Sequence, residues 1–330
     1  MQAIAEAHPN IALVKYWGKR DPRLNLPAVG SLSVTLDTLS TRTDLRFDPA
    51  LDEDRITLNG HQASTGESRR ITECLDLLRE RAGIRTRAVV DSRNNFPTGA
   101  GLASSASGFA ALVVAGAHAL ALPLSPAELS ELARRGSGSA ARSIFGGFAE
   151  MAHGARPDGT DAVAAPVLGA AEWPLSVVIA VTSEAAKPIG STDGMTLTRE
   201  TSPYYAAWTG TAEADLREAR GAIERRDFEA LAAVSEYSCL KMHGLAMSAR
   251  PGLIYWNGAT VNCMQRVRAL RNGGVPVFFT VDAGPQVKAI CLPGEADAVA
   301  AALEAEPGVL RVLSTGLGEA ARVVPANEAA

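Results

Sequence analysis

Apolar positions in the first sixty or so residues run in short blocks instead of recurring every three or four places. The blocks NIALVKYW, SLSVTLD, TRTDLRF and RITLNG are rich in β-branched residues and bounded by turn formers, a pattern that predicts strands. Helical spacing first appears in SRRITECLDLLRERAG, where Ile71, Cys74, Leu75, Leu77 and Leu78 fall near one face and Gly83 supplies a C-terminal cap. TRAVVDSRNNFP reads as a strand entering a run of small residues, and after Gly101 the pattern turns helical through the apolar stretch Gly108–Leu124. SPAELSELARR predicts another helix, with Ser125 as N-cap and Glu128 at its third position.

The second half opens on WPLSVVIAVTSE, a continuous apolar run typical of a buried strand. Two or three helices are expected between about Ser202 and Ala249. TVNCMQRVRALRNGG (helix), VPVFFTVDAGPQVKAICLP (strand, turn, strand), EADAVAAALEAE (helix) and GVLRVLST (strand) then give an α-β-β-α-β order. That order suits an α+β layer with helices on one face of a mostly antiparallel sheet. The expected division lies near residue 172, giving units 1–172 and 173–330, with no repeat and no long linker between them.

Composition narrows the class only a little. The 330 residues are 47% hydrophobic and 21% charged, an ordinary globular balance, and the formal charge of −4 carries no footprint for nucleic acid or an acidic membrane. MQAIAEAHPN has no basic region followed by an apolar run, so no secretory signal is expected, and Gly108–Leu124 is short for a membrane span. Cys74, Cys239, Cys263 and Cys291 are scattered with no C-x-x-C pair, which points to reduced thiols and a cytoplasmic location. The five histidines form no H-E-x-x-H, and a zinc site is not expected.

Several short stretches carry candidate chemistry, each with a plainer reading beside it. PTGAGLASSASG sets Gly99 and Gly101 ahead of a helix start and its serines. Such a start is either a phosphate cradle, with hydroxyls that can complete a magnesium shell, or tight packing of a small-residue helix. It is not the G-x-x-x-x-G-K-[ST] loop, since no lysine follows the second glycine. HPNIALVKYWGKRD puts Lys15 and Lys19 four apart, on one strand face by period two unless Gly18 bends the chain. They are either cations aimed into a cleft or solvated edge lysines. RRGSGSAARSIFGGF offers Ser137, Ser139 and Arg142 to a diphosphate and a carboxylate, or is a turn between helices. Asp282 in FFTVDAGPQ is a turn former or a catalytic acid/base, and Ser191 and Thr192 in GSTDGMTLTRETSPYY are helix caps or ligand contacts.

Taken in order, HPNIALVKYWGKRD, LNLP, SLSVTLD, NNFPTGAGLASSASG, RRGSGSAARSIFGGF, GSTDGM, TSPYY and FTVDAGPQ resemble the diphosphomevalonate decarboxylase family of the GHMP kinase superfamily. The Gly-Ser loop alone marks only the superfamily; the Y-W-G-K and S-G-S-A-x-R segments mark the decarboxylase branch. The resemblance runs over about residues 4–290, and the C-terminal forty or so residues carry no functional assignment. It implies an α+β GHMP-kinase fold, with a ribosomal-protein-S5-like N-terminal half, a ferredoxin-like C-terminal half and the active site in the cleft between them. It also implies ATP and Mg2+ as cofactors, mevalonate 5-diphosphate as substrate, and a homodimer.

The roles that follow are those the resemblance implies. Asp282 orients or deprotonates the substrate's 3-hydroxyl, Arg142 holds its carboxylate, and Lys15 neutralises charge beside them. Asn10 supports the site. Tyr16, Trp17, Gly18, Lys19, Arg70, Ser137, Gly138, Ser139, Ala140, Ala141, Ser191 and Thr192 form the substrate-binding set. Pro97, Gly99, Ala100, Gly101, Leu102, Ala103, Ser104 and Ser105 cradle the ATP phosphates, with Ser105 also meeting magnesium. Three departures from the family pattern stand out: Ala141 where many relatives have Cys, T-G-A-G where T-A-A-G is common, and Thr192 where some bacterial relatives have arginine. The alternative is a related kinase or decarboxylase of the same fold acting on mevalonate or its monophosphate; a catalytically silent sensor is the rival from another class.

Overall fold

A computed structural model describes residues 1–96, 103–185 and 187–325. The first half begins with β1 (Gln2–Ala7), β2 (Asn10–Val14), the short pair β3 (Lys19–Asp21) and β4 (Leu26–Pro27), β5 (Ser31–Thr35) and β6 (Thr41–Asp48). There follow β7 (Arg55–Leu58), β8 (His61–Gln62), α1 (Thr65–Ala82), β9 (Arg87–Asn94), α2 (Ser104–Ala119) and α3 (Pro126–Gly136). A 3-10 turn (Gly138–Ile144), β10 (Phe148–Met151) and β11 (Ala164–Leu168) complete it. The second half holds β12 (Ser176–Val181), α4 (Ser191–Thr201), α5 (Tyr205–Arg225), α6 (Phe228–Met247) and α7 (Gly258–Asn272). It continues with β13 (Val277–Thr280), β14 (Val287–Cys291), α8 (Ala296–Glu304), β15 (Arg311–Thr315) and β16 (Arg322–Val323).

The predicted helix signals act as read. Ser64 and Ser125 each close a capping box, with Glu67 and Glu128 respectively, and Gly83 ends α1 in the left-handed conformation. Helices α1 and α2 cover one sheet, of order β16-β1-β6-β9-β7-β8, through a core that includes Leu45, Leu75, Leu78, Val90, Phe109 and Leu112. Each such buried side chain contributes roughly 1.5–3 kcal/mol. Within that sheet β7 and β9 run parallel, while the other long pairings are antiparallel.

The sheet of the second half, β13-β14-β12-β15, is antiparallel throughout. It is buried on both faces, which explains the unbroken apolar run of β12. Val178 and Ala180 face α7 and α8 with Val267, Val299 and Leu303, whereas Val177 and Ile179 face the N-terminal half. There they join Ile11, Leu32, Val34 and Phe148 from the small sheet β11-β10-β5-β2, together with Leu216 and Ile223 of α5. The two halves thus share one apolar core, and the ends of β2 and β13 meet beside it: the Thr280 hydroxyl donates to the Ala12 carbonyl at 3.2 Å. The final strand β16 was not expected, since two residues leave no readable period. It pairs with β1, so the chain returns to the N-terminal sheet instead of ending in the second half.

Candidate active site

A cleft of ≈ 730 Å³ opens where β2, the 3-10 turn, the start of α2, the start of α4 and the turn after β13 converge. Among the described residues, eight lysines and arginines line it (Lys15, Lys19, Arg23, Arg69, Arg70, Arg135, Arg142, Lys187) against two carboxylates, Glu73 and Asp282. A chain of formal charge −4 therefore concentrates positive potential in one concavity, which selects a polyanionic ligand.

Strand β2 ends at Val14, so the expectation that Lys15 and Lys19 share a strand face does not hold. Gly18, at φ +99, turns the chain and Lys19 starts the separate strand β3. Both lysines still reach the cleft. Lys15 is buried, and its Nζ donates to the Ala12 carbonyl and to Asp282 Oδ1, each at 2.8 Å. Asp282 sits two residues beyond β13, and its other oxygen faces Lys288 Nζ of β14 at 3.3 Å. Burial opposes the ionised form of Asp282, yet Lys15 and Lys288 prevail and hold its carboxyl far below the usual carboxylate range. The turn-former reading therefore gives way to a carboxylate clamped between two cations.

Arg142 is almost wholly buried on the 3-10 turn. Its Nε donates to Ser33 Oγ at 2.9 Å, Nη1 to Ser31 Oγ, and Nη2 to Asn10 Oδ1 at 3.1 Å. Asn10 is fixed in turn by donating to the Ser139 carbonyl (2.9 Å) and Ser143 Oγ (2.8 Å). Burial pushes the Arg142 guanidinium down to about 10, partly offset by Asp282, so it is still a cation at neutral pH. Three of its five N–H groups are thus used, and the other two are left for a ligand.

Tyr16 Oη is buried with no hydrogen-bond partner among the described residues, and burial pushes the phenol up to about 12. It lies against Gly138, where an added Cβ would stand 2.2 Å from the hydroxyl, so that position admits only glycine. Ser137 Oγ lies 3.2 Å from Ser105 Oγ and 3.3 Å from Ser139 Oγ, which joins the two Gly-Ser segments into one hydroxyl cluster. Lys19 lines the same wall, its ammonium pulled down by burial and by Arg70. Arg70 donates to the Gly136 carbonyl at 2.8 Å and lies over the Phe109 ring.

Pro97, Gly99, Ala100, Gly101 and Leu102 lie outside the described residues. Ala103 is the N-cap of α2, in the left-handed region at φ +58 and without a side chain able to cap. The first-turn amides at Ser104 and Ser105 are therefore available to an anion. Ser191 and Thr192 are not caps: Gly190 is the N-cap of α4, and both hydroxyls line the cleft at its first turn. Trp17 supplies wall and anchorage, its Nε1 donating to Thr198 Oγ1 at 2.9 Å and its carbonyl accepting from Trp208 Nε1. Gly18 sits in the turn, while Ala140 and Ala141 are fully buried in the apolar core.

A second cavity of ≈ 360 Å³ shares Arg70, Ser104 and Ser105 with the cleft. Leu58, Ile71, Val90, Phe109 and Leu112 make it apolar, with Asn59, Ser92 and Asn94 at its polar edge. Among the described residues, no group of three or more His, Cys, Asp or Glu is gathered for a metal. The sequence reading passed over Lys187, Lys288, Ser31 and Ser33. Lys288 and the two serines had one available signal, a polar residue inside a strand otherwise read as apolar.

Residues 7–164 match a family model described as the diphosphomevalonate decarboxylase-like N-terminal domain, and residues 177–308 match the mevalonate 5-diphosphate decarboxylase C-terminal domain. Diphosphomevalonate decarboxylase from Bos taurus is 40% identical over 299 residues, covering 84% of this chain and 73% of the relative. The Ganoderma lucidum enzyme is 39% identical over 306 residues, 86% of this chain and 76% of its own. Mevalonate diphosphate decarboxylase from Staphylococcus aureus superposes with a TM-score of 0.92 at 38% identity, over 98% of both chains. A structure described as "MDDEF in complex with MVAPP, AMPPCP and Magnesium" superposes with a TM-score of 0.91 at 39% identity, over 98% of this chain and 99% of that one.

Proposed function

This chain belongs to the diphosphomevalonate decarboxylase family, and from that premise we propose how its cleft carries out the ATP-dependent decarboxylation of mevalonate 5-diphosphate. The products are isopentenyl diphosphate, ADP, phosphate and carbon dioxide. One observation carries the assignment of roles: a doubly clamped carboxylate (Asp282), a buried arginine with free N–H groups (Arg142) and an uncapped helix start (α2) face the same cleft.

Asp282 accepts the hydrogen bond of the 3-hydroxyl and aims its oxygen at the γ-phosphorus. A carboxylate stabilised by two ammonium groups is a weak base, so orientation is its first task. It takes the proton as the new P–O bond forms and the bond to ADP breaks. Loss of the 3-phosphate with its bonding electrons then leaves positive character at the tertiary carbon. The C–C bond to the carboxylate breaks, its electron pair forms the double bond, and carbon dioxide departs. Arg142 holds that carboxylate with its remaining N–H groups and loses its grip when the product is neutral carbon dioxide. Tyr16 Oη, Lys19, Arg70, Ser137, Ser139, Ser191 and Thr192 grip the diphosphate end.

The start of α2 and Ser104–Ser105 face the nucleotide phosphates, and the adjoining apolar cavity takes the nucleoside. Magnesium, bound with the nucleotide, neutralises phosphate charge, and the Ser105 hydroxyl is the side chain suited to complete its shell. The boundary between the two units falls in the segment between β11 and β12, near residue 172. The four cysteines are unpaired, which supports a reducing, cytoplasmic setting, and no described helix is long and apolar enough to cross a membrane.

With mevalonate 5-diphosphate and MgATP, equal amounts of ADP, phosphate and carbon dioxide are expected; ADP alongside an accumulating phosphorylated acid would overturn the reading. Asp282→Asn should lose about three orders of magnitude in kcat while calorimetry shows nucleotide binding intact. Full turnover in that variant would remove Asp282 from the chemistry.

A further inference from the structure

Lys288 stands where packing calls for an apolar side chain. On the central strand β14 it lies opposite Thr280 of β13 and Ile179 of β12, and side chains opposite one another share a sheet face. The next row on that face, Val177, Phe278 and Ile290, is core. The Lys288 side chain is fully buried among them. A buried ammonium is costly, and an apolar residue of similar volume there would be at least as stable. One partner there is Asp282, in the turn two residues past Thr280, whose Oδ2 lies 3.3 Å from Lys288 Nζ.

We infer that Lys288 is a positioning residue for the reaction, acting through Asp282: it faces the carboxylate oxygen that Lys15 leaves open and so fixes the plane in which the carboxylate meets the substrate hydroxyl. The inference rests on the role given to Asp282 above. One ammonium alone would fix one oxygen and leave the group free to rotate about that contact. With Lys15 donating to Oδ1 and the Lys288 ammonium 3.3 Å from Oδ2, each oxygen has its own counter-charge. The other groups facing Asp282 come from three elements: Lys187 before α4, Arg142 on the 3-10 turn, and His243 with Cys239 on α6. None of these is within ion-pair reach of Oδ2, so Lys288 has no substitute there.

The test is Lys288→Met, which keeps volume and removes the charge. We expect a melting temperature within about 4 °C of the parent. In the same variant kcat falls about tenfold or more, and KM for both substrates stays within about threefold. A kcat within about twofold, or a fall in kcat matched by an equal rise in KM, overturns the inference. Should the variant fail to fold, carbon-13 NMR of aspartate side chains in Lys15→Met decides the matter. Asp282 held by Lys288 alone remains ionised through the ordinary carboxylate range, whereas titration inside that range overturns the proposal. An active Asp282→Asn variant would sink the underlying role; an inactive one beside a normal Lys288→Met would sink only the Lys288 inference.

Discussion

His243 shows how a single buried side chain can govern the pH response of this fold. It sits on α6 against the Trp256 ring, with Nε2 3.3 Å from the Val281 carbonyl, immediately before Asp282. Facing an acceptor, Nε2 must carry a proton and donate. Burial, reinforced by the nearby Lys15 charge, pushes the imidazole down from 6.5 to about 4. Between those values the unfolded chain binds a proton that the native protein refuses, so stability is complete above pH 6.5 and is lost as pH falls towards 4. The loss is roughly 3 kcal/mol at most. His243→Gln, which keeps a donor but cannot titrate, should flatten this dependence; urea midpoints at pH 7.5 and 5.0 measure it, and an unchanged slope would show that other groups are responsible.

At the scale of elements, the helix signals were the most legible part of the sequence, because caps are local. Ser125 and Glu128 close α3 as read, with the Glu128 amide donating to Ser125 Oγ and the Ser125 amide to the Glu128 carboxylate. Ser125→Ala should cost about 1 kcal/mol in chemical unfolding. It should leave kcat within about twofold, since the far end of α3 is tied separately by Arg134, which donates to the Leu24 and Gly159 carbonyls. A large loss of activity would mean that the cap and the cleft are coupled. Less legible was anything set by register between elements. That Arg142 would be gripped by Ser31 and Ser33 depends on β5 lying beneath the 3-10 turn, which no local pattern encodes. Lys15 and Lys19 looked like one face because period two assumes a continuous strand, and Gly18 breaks it. Lys288 was visible as a charge inside an apolar run, but its meaning appears only when β13 and β14 pair.

Across the whole molecule, the last described residues do more than finish the chain. Gly318 donates to the Thr35 carbonyl and accepts from the Gly147 amide, and the Ala321 amide donates to the Ile144 carbonyl. These bonds flank the turn that carries Arg142. Val324 donates to the Ile4 carbonyl and β16 pairs with β1. Removing residues 316–330 should therefore lower stability by several kcal/mol, at about 1 kcal/mol for each lost backbone bond, and abolish turnover. Urea unfolding and carbon dioxide release on the truncated chain test this; an unchanged midpoint with full activity would make the segment dispensable.

That closure also sets a schedule for synthesis. Glu6 and Arg322, joined by an ion pair at the edge of the first sheet, are 316 positions apart in the chain. At ribosomal rates, roughly 15–60 s separate the emergence of the two. Through that interval β1 offers an unpaired edge to any neighbouring nascent chain, a recognised route to aggregation. The growing protein must keep its opening strand shielded, by its own partial structure or by a chaperone, until its closing one arrives.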